Sequence, residues 1–377
     1  MPALDIETTR PGTGWAEQLK PIWRDLERVA CQSMFQCWTW LGCQADVRFD
    51  CPVLITARQG EAIVGLALFN QPRRGGPLWL HETGRGDDDA TYIEHNAPLL
   101  NLRGPEREAA LTAVLSRALD LGRVVHLSGV TQEVLEAARR TGGVLERIRS
   151  ELAPIVHLTA IDSPEGFFGG LSRNTRQQLR RADRLYGGLV VIRAATKDQA
   201  IQYFSELRRL HSMTWQSRGK PGAFATEAIV QFHLKLIEHG VDRNEVDVLK
   251  IQGPSGLAGY LYNFRFAGRV LAYQSGFDYE HGTERHKPGL SCHAAAIAWY
   301  INQGAYSYDF LAGESQYKLS LASAQSELHW LILAQPSWHR SLLRPFRKWS
   351  EWIRMASSLH SLSRLRDVAV LGRVEWQ

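Results

Sequence analysis

The stretch EVDVLKIQGPSGLAGYLYNFRFAGRVLAYQSGFDYE, residues 245–280, decides the fold class. It holds three runs rich in Val, Leu, Tyr and Phe, residue types that pack well on a pleated surface. Between the runs stand Gly-Pro-Ser-Gly at 253–256 and Ala-Gly-Arg at 267–269, both turn signals. Three strands joined by two tight turns make an antiparallel meander. On either side the pattern changes to the helical period. KDQAIQYFSELRRLHSMTWQSRG (197–219) and EAIVQFHLKLIEHG (227–240) read as helices separated by a Lys-Pro-Gly break. Before them LVVIRA (189–194) reads as a strand. After the meander a polar loop, HGTERHKPG, leads into a helix over 290–303 that Gly304 ends. Strand YSYDFLAG (306–313), the pair Tyr317-Lys318 and strand ELHWLILA (327–334) follow.

The first half repeats that order. Residues 14–47 carry helical periodicity, with Trp15, Leu19, Ile22, Trp23, Leu26, Val29 and Ala30 on one face. CPVLITARQG (51–60) and EAIVGLALFN (61–70) form a hairpin, and GGPLWLHETG (75–84) is a third strand. A helix over 104–121 opens with Pro and closes with Gly. Strand VVHLSGV, helix TQEVLEAARRTGG and a strand region over 144–159 complete the set. The first half shows no clear opening strand of its own. The shared order predicts a structural duplication, with domains at 1–160 and 161–335. The tail, 336–377, is basic and rich in Trp. It reads as an amphipathic helical segment that either lies on an anionic membrane or docks across the domains.

The chain has 377 residues, of which 44% are hydrophobic and 22% charged, enough for two packed cores. Its net charge of +5 suits anionic partners without demanding one. No signal peptide or membrane-length apolar run stands out, so the expected location is the cytoplasm or the inner face of the membrane. The cysteines are Cys31, Cys37, Cys43, Cys51 and Cys292. No pair has Cys-x-x-Cys spacing, which disfavours a zinc site even with His81 and His95 in reach, and no metal is expected.

Particular strings sharpen the reading. SRNTRQQLRRADRL (172–185), LHSMTW (210–215), GFDYE (276–280), KPGL (287–290) and YDFLAGESQYK (308–318) resemble the CelD-like acetyltransferases, which are associated with cellulose and exopolysaccharide loci. The element order resembles the GCN5-related N-acetyltransferase fold. Two such domains in tandem are similar to the Fem peptidyltransferases, which draw aminoacyl groups from aminoacyl-tRNA. The Tyr-Lys after Gly-Glu resembles the Phe-Lys of those enzymes. The implied fold is α/β (α+β): two tandem acetyltransferase-like domains with mixed central sheets, the second being catalytic.

The resemblance also implies roles. The helix beginning Lys287-Pro288-Gly289-Leu290-Ser291 would hold donor phosphates on its free N–H groups. The wider acetyltransferase pattern has a further small residue here, where this chain has Leu290 and Ser291. Lys318 would stabilise an oxyanion or a phosphate, Tyr317 would protonate a leaving thiolate, and Glu314 would take a proton from the attacking amine. A lone lysine at a helix start is otherwise a solvated surface group. Arg173, Arg176 and Arg180 share one helix face and suit phosphate or carboxylate, or else form a solvated basic face. Trp215 with His211, and Tyr273, Gln274 and Asp309, are candidate substrate contacts, with core packing the simpler role for the aromatics. His293 is expected to be a packed histidine.

Together these imply acyl transfer without a covalent intermediate. The donor would be acyl-CoA or acetyl-CoA, or an acyl-carrier protein, and the acceptor a small amine or a sugar. Two rival readings are a Fem-like ligase using aminoacyl-tRNA and a catalytically degenerate scaffold.

Overall fold

The computed structural model describes residues 3–30, 33–86, 89, 92–279 and 286–336. The predicted tail helix lies outside the described residues, apart from Pro336. A first set of elements comprises β1 (Leu4–Thr9), α1 (Trp15–Ala30), α2 (Trp38–Leu41), α3 (Ala45–Arg48), β2 (Pro52–Gln59), β3 (Ala62–Asn70), β4 (Leu78–Leu80), β5 (Leu99–Leu100), α4 (Gly104–Gly122), β6 (Val124–Val130), α5 (Gln132–Arg140) and β7 (Val144–His157). Two helices, α6 (Pro164–Gly170) and α7 (Arg173–Tyr186), link it to a second set. That set comprises β8 (Val190–Arg193), α8 (Lys197–Gln216), α9 (Glu227–Gly240), β9 (Val246–Gly253), β10 (Gly256–Phe266), β11 (Arg269–Phe277), α10 (Pro288–Asn302), β12 (Ser307–Asp309), α11 (Gln316–Leu321) and β13 (Ala324–Ala334).

The strands form one mixed sheet, ordered β1-β2-β3-β4-β6-β13-β7-β12-β11-β10-β9-β8, with β5 beside β3. The order reads alike from either end if β1, β2, β3, β4, β6 and β7 correspond to β8, β9, β10, β11, β12 and β13. Two neighbouring pairs along this path run parallel, β4 with β6 and β11 with β12, and they are equivalent. The last strands exchange places: β7 pairs with β12 and β13 with β6, and the two pair with each other. The duplication is therefore present, and each repeat lends its closing strand to the other.

The core follows the same symmetry. One cluster under α4 and α5 serves the first repeat, and one under α7 and α10 serves the second. A third spans both: Phe35 and Trp40 pack edge-on against Phe264 and Phe232, with centroids 6.0 and 5.1 Å apart. Fully burying one such aromatic contributes about 1.5–3 kcal/mol. A buried polar tie runs beside it. Arg24 pairs with Glu27 at 2.6 Å, and Thr39 donates to Glu245 of the second repeat.

Some sequence expectations change. The first repeat does have an opening strand, β1. Its side chains alternate half-buried and exposed, so Asp5, Glu7 and Thr9 face solvent and dilute the apolar signal. The helical run over 14–47 breaks into α1 and shorter turns. Ile22 and Val29 do not join the buried stripe; they are 43% and 64% exposed. Each lies about 100° around the helix from Trp23 or Ala30. The strands read at 75–84 and 306–313 shrink to three residues each, β4 and β12.

Candidate active site

The site begins where two strands part. β11 and β12 pair only over Arg269–Leu271 and Ser307–Asp309. β11 then continues to Phe277 with a bulge. Tyr262 faces Gln274 and Asn263 faces Ala272, so Tyr273 is the extra residue. A bulge bends and twists its strand, which carries β11 away from its neighbour. On the other side the chain leaves β12 through Leu311 at φ +58° and Gly313 at φ +104°. Positive φ costs a leucine strain that its surroundings must hold. Asp309 Oδ1 accepts from Leu311 N at 2.7 Å. Lys318 Nζ donates to the carbonyls of Phe310, Leu311 and Ala312 at 2.8, 3.4 and 3.0 Å. The splayed turn is thus cast around the lysine.

This geometry bears on the sequence reading of Lys318. Its three protons go to backbone carbonyls, which leaves the ammonium turned into the loop. Burial pulls its pKa down, against the pull of Glu94 and Asp309. Glu314 is exposed. Tyr317 is half-buried, its ring stacked on His293 at 5.2 Å and edge-on to Phe277 at 6.4 Å. Burial pushes its phenol up to about 12, so it is a neutral donor at pH 7. His293 is packed, its Nδ1 2.7 Å from the Tyr308 hydroxyl.

The mouth of the splay meets the start of α10. Lys287 sits there at φ +44° and is exposed, and its own side chain makes no capping hydrogen bond. Ser291 Oγ donates backwards to His286 O at 2.9 Å. The first-turn N–H groups of such a helix have no partner within it. A Cβ on Gly289 would stand 3.2 Å from Phe277 Cε2, so the glycine lets that ring close on the helix.

The other predicted contacts disperse. Tyr273 is buried among Phe264 and His233, with centroids 4.6 and 5.4 Å away, and is a core residue. Gln274, next on the strand, is half-buried. His211 bridges: its Nδ1 lies 2.9 Å from Ser275 O, and Nε2 accepts from Ala223 N at 3.0 Å. Trp215 is half-buried, with Arg218 and Lys220 each 5.7 Å from its ring. Arg176 donates to Gly169 O and Leu171 O, both at 2.6 Å, and so fastens the α6–α7 turn. Arg173 and Arg180 are exposed. Tyr186, at the far end of α7, is the residue beside His286 near the α10 start. Measured along α7, Arg173 lies about 20 Å from Tyr186 and Arg180 about 9 Å.

The equivalent splay in the first repeat is filled. β4 and β6 pair over Leu78–Trp79 and Val125–His126. Beyond that, Asn96 lies between them. Its N–H donates to Gly129 O, and its Nδ2 to Leu80 O, both at 3.0 Å. Its Oδ1 meets His81 Nδ1 at 2.8 Å. Gly129 has φ +60°, and a Cβ there would stand 2.2 Å from Ile93 O. The first repeat's cleft is closed by its own chain.

The same segment reaches the second repeat. Glu94 accepts from Ala312 N at 2.6 Å, and His95 Nε2 stands 2.9 Å from Asp309 Oδ2. Burial raises the Glu94 carboxyl to about 7. Burial disfavours the His95 cation, but the Asp309 carboxylate raises its pKa overall. Glu94 stands outside the candidates that the sequence offers, and His95 figures among them only as a possible metal ligand. The one signal was a polar Glu-His-Asn run set between apolar residues. Among the described residues no three His, Cys, Asp or Glu side chains gather as a metal site. Cys37, Cys43 and Cys292 are buried thiols.

Residues 171–319 match the family model described as an acetyltransferase (GNAT) domain. The crystal structure of FemX is similar in fold, with a TM-score of 0.58 and 10% identity, over 86% of this chain and 96% of that one. So is the C-terminal DUF2156 domain of a protein named as a lysylphosphatidylglycerol synthetase from Agrobacterium fabrum, with a TM-score of 0.53 and 10% identity over 85% and 93%. A conserved protein of unknown function from Bacteroides thetaiotaomicron gives 0.51 and 11% over 88% and 100%. No curated protein matches the chain by sequence.

Proposed function

We propose, from the premise that residues 171–319 form a GNAT-type acyltransferase domain, that the chain moves an acyl group from a CoA thioester to an amine in the β11/β12 splay. The enzyme class rests on the domain match; the donor, the acceptor and the residue roles are the proposal. The observation that carries it is the contrast between the two repeats. One splay is plugged by Asn96, whereas the other ends at the α10 start, where the Lys287 side chain makes no cap bond and the neutral Tyr317 phenol packs against the helix.

In this reading the donor's phosphates meet the α10 start and Lys287, where N–H groups and the helix dipole favour anions. The thioester lies along β11 beyond its last pair with β12. The amine attacks directly, and Tyr317 protonates the departing thiolate. Lys318 holds the turn that shapes the cleft rather than touching the oxyanion. Exposed Glu314 has no part in the chemistry. The CelD-like strings favour a cytoplasmic enzyme of envelope polysaccharide synthesis, with an amino sugar as acceptor. Trp215, with Arg218 and Lys220 beside it, supports a polar or anionic acceptor at the end of α8. Among the described residues no helix is long and apolar enough to cross a membrane. A Fem-like use of charged tRNA would draw on the exposed Arg173 and Arg180.

Purified protein should transfer acetyl or longer acyl groups from CoA to members of an amine panel. Lys287→Glu should weaken donor binding about tenfold, since it reverses a charge beside the phosphates. Its fold should be unharmed, because an acid suits a helix start. Transfer only from charged tRNA, unaffected by Lys287→Glu, would replace this reading with the Fem-like one.

A further inference from the structure

We infer that Glu94, carried across from the first repeat, is the general base that deprotonates the acceptor ammonium in the second repeat's splay. The inference rests on the acyltransferase reading and adds to it a residue from outside the matched domain.

Glu94 is 7% exposed and is fixed by the Ala312 N–H, three residues past the last β12 pair. That is where the strands have separated and a donor carbonyl would lie. Only one of its oxygens takes a hydrogen bond among the described residues, which leaves the other for a ligand. The other carboxylates nearby are committed elsewhere. Asp309 serves Leu311 N with one oxygen and His95 with the other. Glu314 is exposed. Lys318 spends its protons on the turn carbonyls, so it neutralises Glu94 only through space. The charged and titratable groups around Glu94 are Lys318 from α11, Asp309 from β12, His95 beside it and Tyr273 from β11. Desolvation outweighs them and brings the carboxyl near neutral, where a carboxylate is an effective base.

The step balances without a further reactant. The ammonium gives one proton to Glu94. The nitrogen lone pair forms the C–N bond, and the C–S bond breaks as the tetrahedral adduct collapses. The thiolate takes the Tyr317 proton, which the amide nitrogen's second proton replaces. Glu94 then returns its proton to water. The plug explains the delivery. Asn96 closes one cleft, and the two residues before it furnish the other.

The test compares wild type with Glu94→Gln, which keeps an acceptor for Ala312 N–H. Acetyl-CoA binding is measured by calorimetry. Turnover is measured against pH with an alkylamine and with hydroxylamine, which is already a free base at neutral pH. The expected result is unchanged donor binding and an alkylamine kcat lower by about 100-fold or more. The rise in wild-type activity as pH passes about 7 should vanish in the variant, and hydroxylamine should react nearly as before. Melting gives an independent reading. The folded pKa lies above the usual carboxylate value, so wild type loses stability as pH rises from about 4.5 to about 7, and the variant does not. The variant should therefore melt higher than wild type at pH 8 and alike near pH 4.5. Unchanged alkylamine turnover with the same pH limb would overturn Glu94 and leave the acyltransferase standing. Equal loss with both nucleophiles would overturn the base role in favour of a structural one. Absence of CoA binding in wild type would overturn both readings.

Discussion

Lys318 shows how far a residue type can be read without its surroundings. A lysine after Gly-Glu and Tyr reads as a cation for an oxyanion, and the sequence contains nothing to say where its protons go. The fold sends them to Phe310, Leu311 and Ala312. Removing them leaves buried acceptors unsatisfied beside a leucine at positive φ. Lys318→Met should therefore cost about 2–4 kcal/mol in urea unfolding, with activity falling in step. A thousandfold loss of turnover at unchanged stability would return the lysine to the chemistry. Tyr317 packs on His293 and Phe277, 24 and 40 residues earlier in the chain, contacts that no local pattern marks. Glu94 is invisible for the same reason over a longer span: its partner Ala312 is 218 residues away in sequence. Nothing local marks a contact of that range.

At the scale of elements, the meander over 245–280 was legible because its apolar runs are long and its turns are marked by glycine. The structure places β9, β10 and β11 within those runs. β1 escaped because half of an edge strand faces water. β4 and β12 were overdrawn because pairing, not composition, sets where a short parallel strand ends. The plug over 93–96 has no periodicity at all, yet it couples the repeats. Gly129→Ala tests that coupling. The new Cβ would meet Ile93 O at 2.2 Å in a backbone conformation alanine resists. The expected cost is about 2–4 kcal/mol. Turnover at the second repeat should fall with it, as Glu94 moves off Ala312. Full activity in a destabilised variant would show that the plug supports the first repeat alone.

For the whole molecule, the duplicated element order was readable, but the exchange of closing strands was not. Nothing local in β7 or β13 says which neighbours it pairs with, and strand order is settled only by the complete fold. The exchange and the shared aromatic core bind the repeats into one body, and the plug makes them unequal. On the proposed function the second repeat takes the donor, and the first repeat's cleft is closed by the chain itself. Calorimetric titration with acetyl-CoA measures this directly. The expected result is one molecule bound per chain, weakened about tenfold by Lys287→Glu beside the α10 start. Two equivalents per chain, or one that is indifferent to Lys287→Glu, would contradict it.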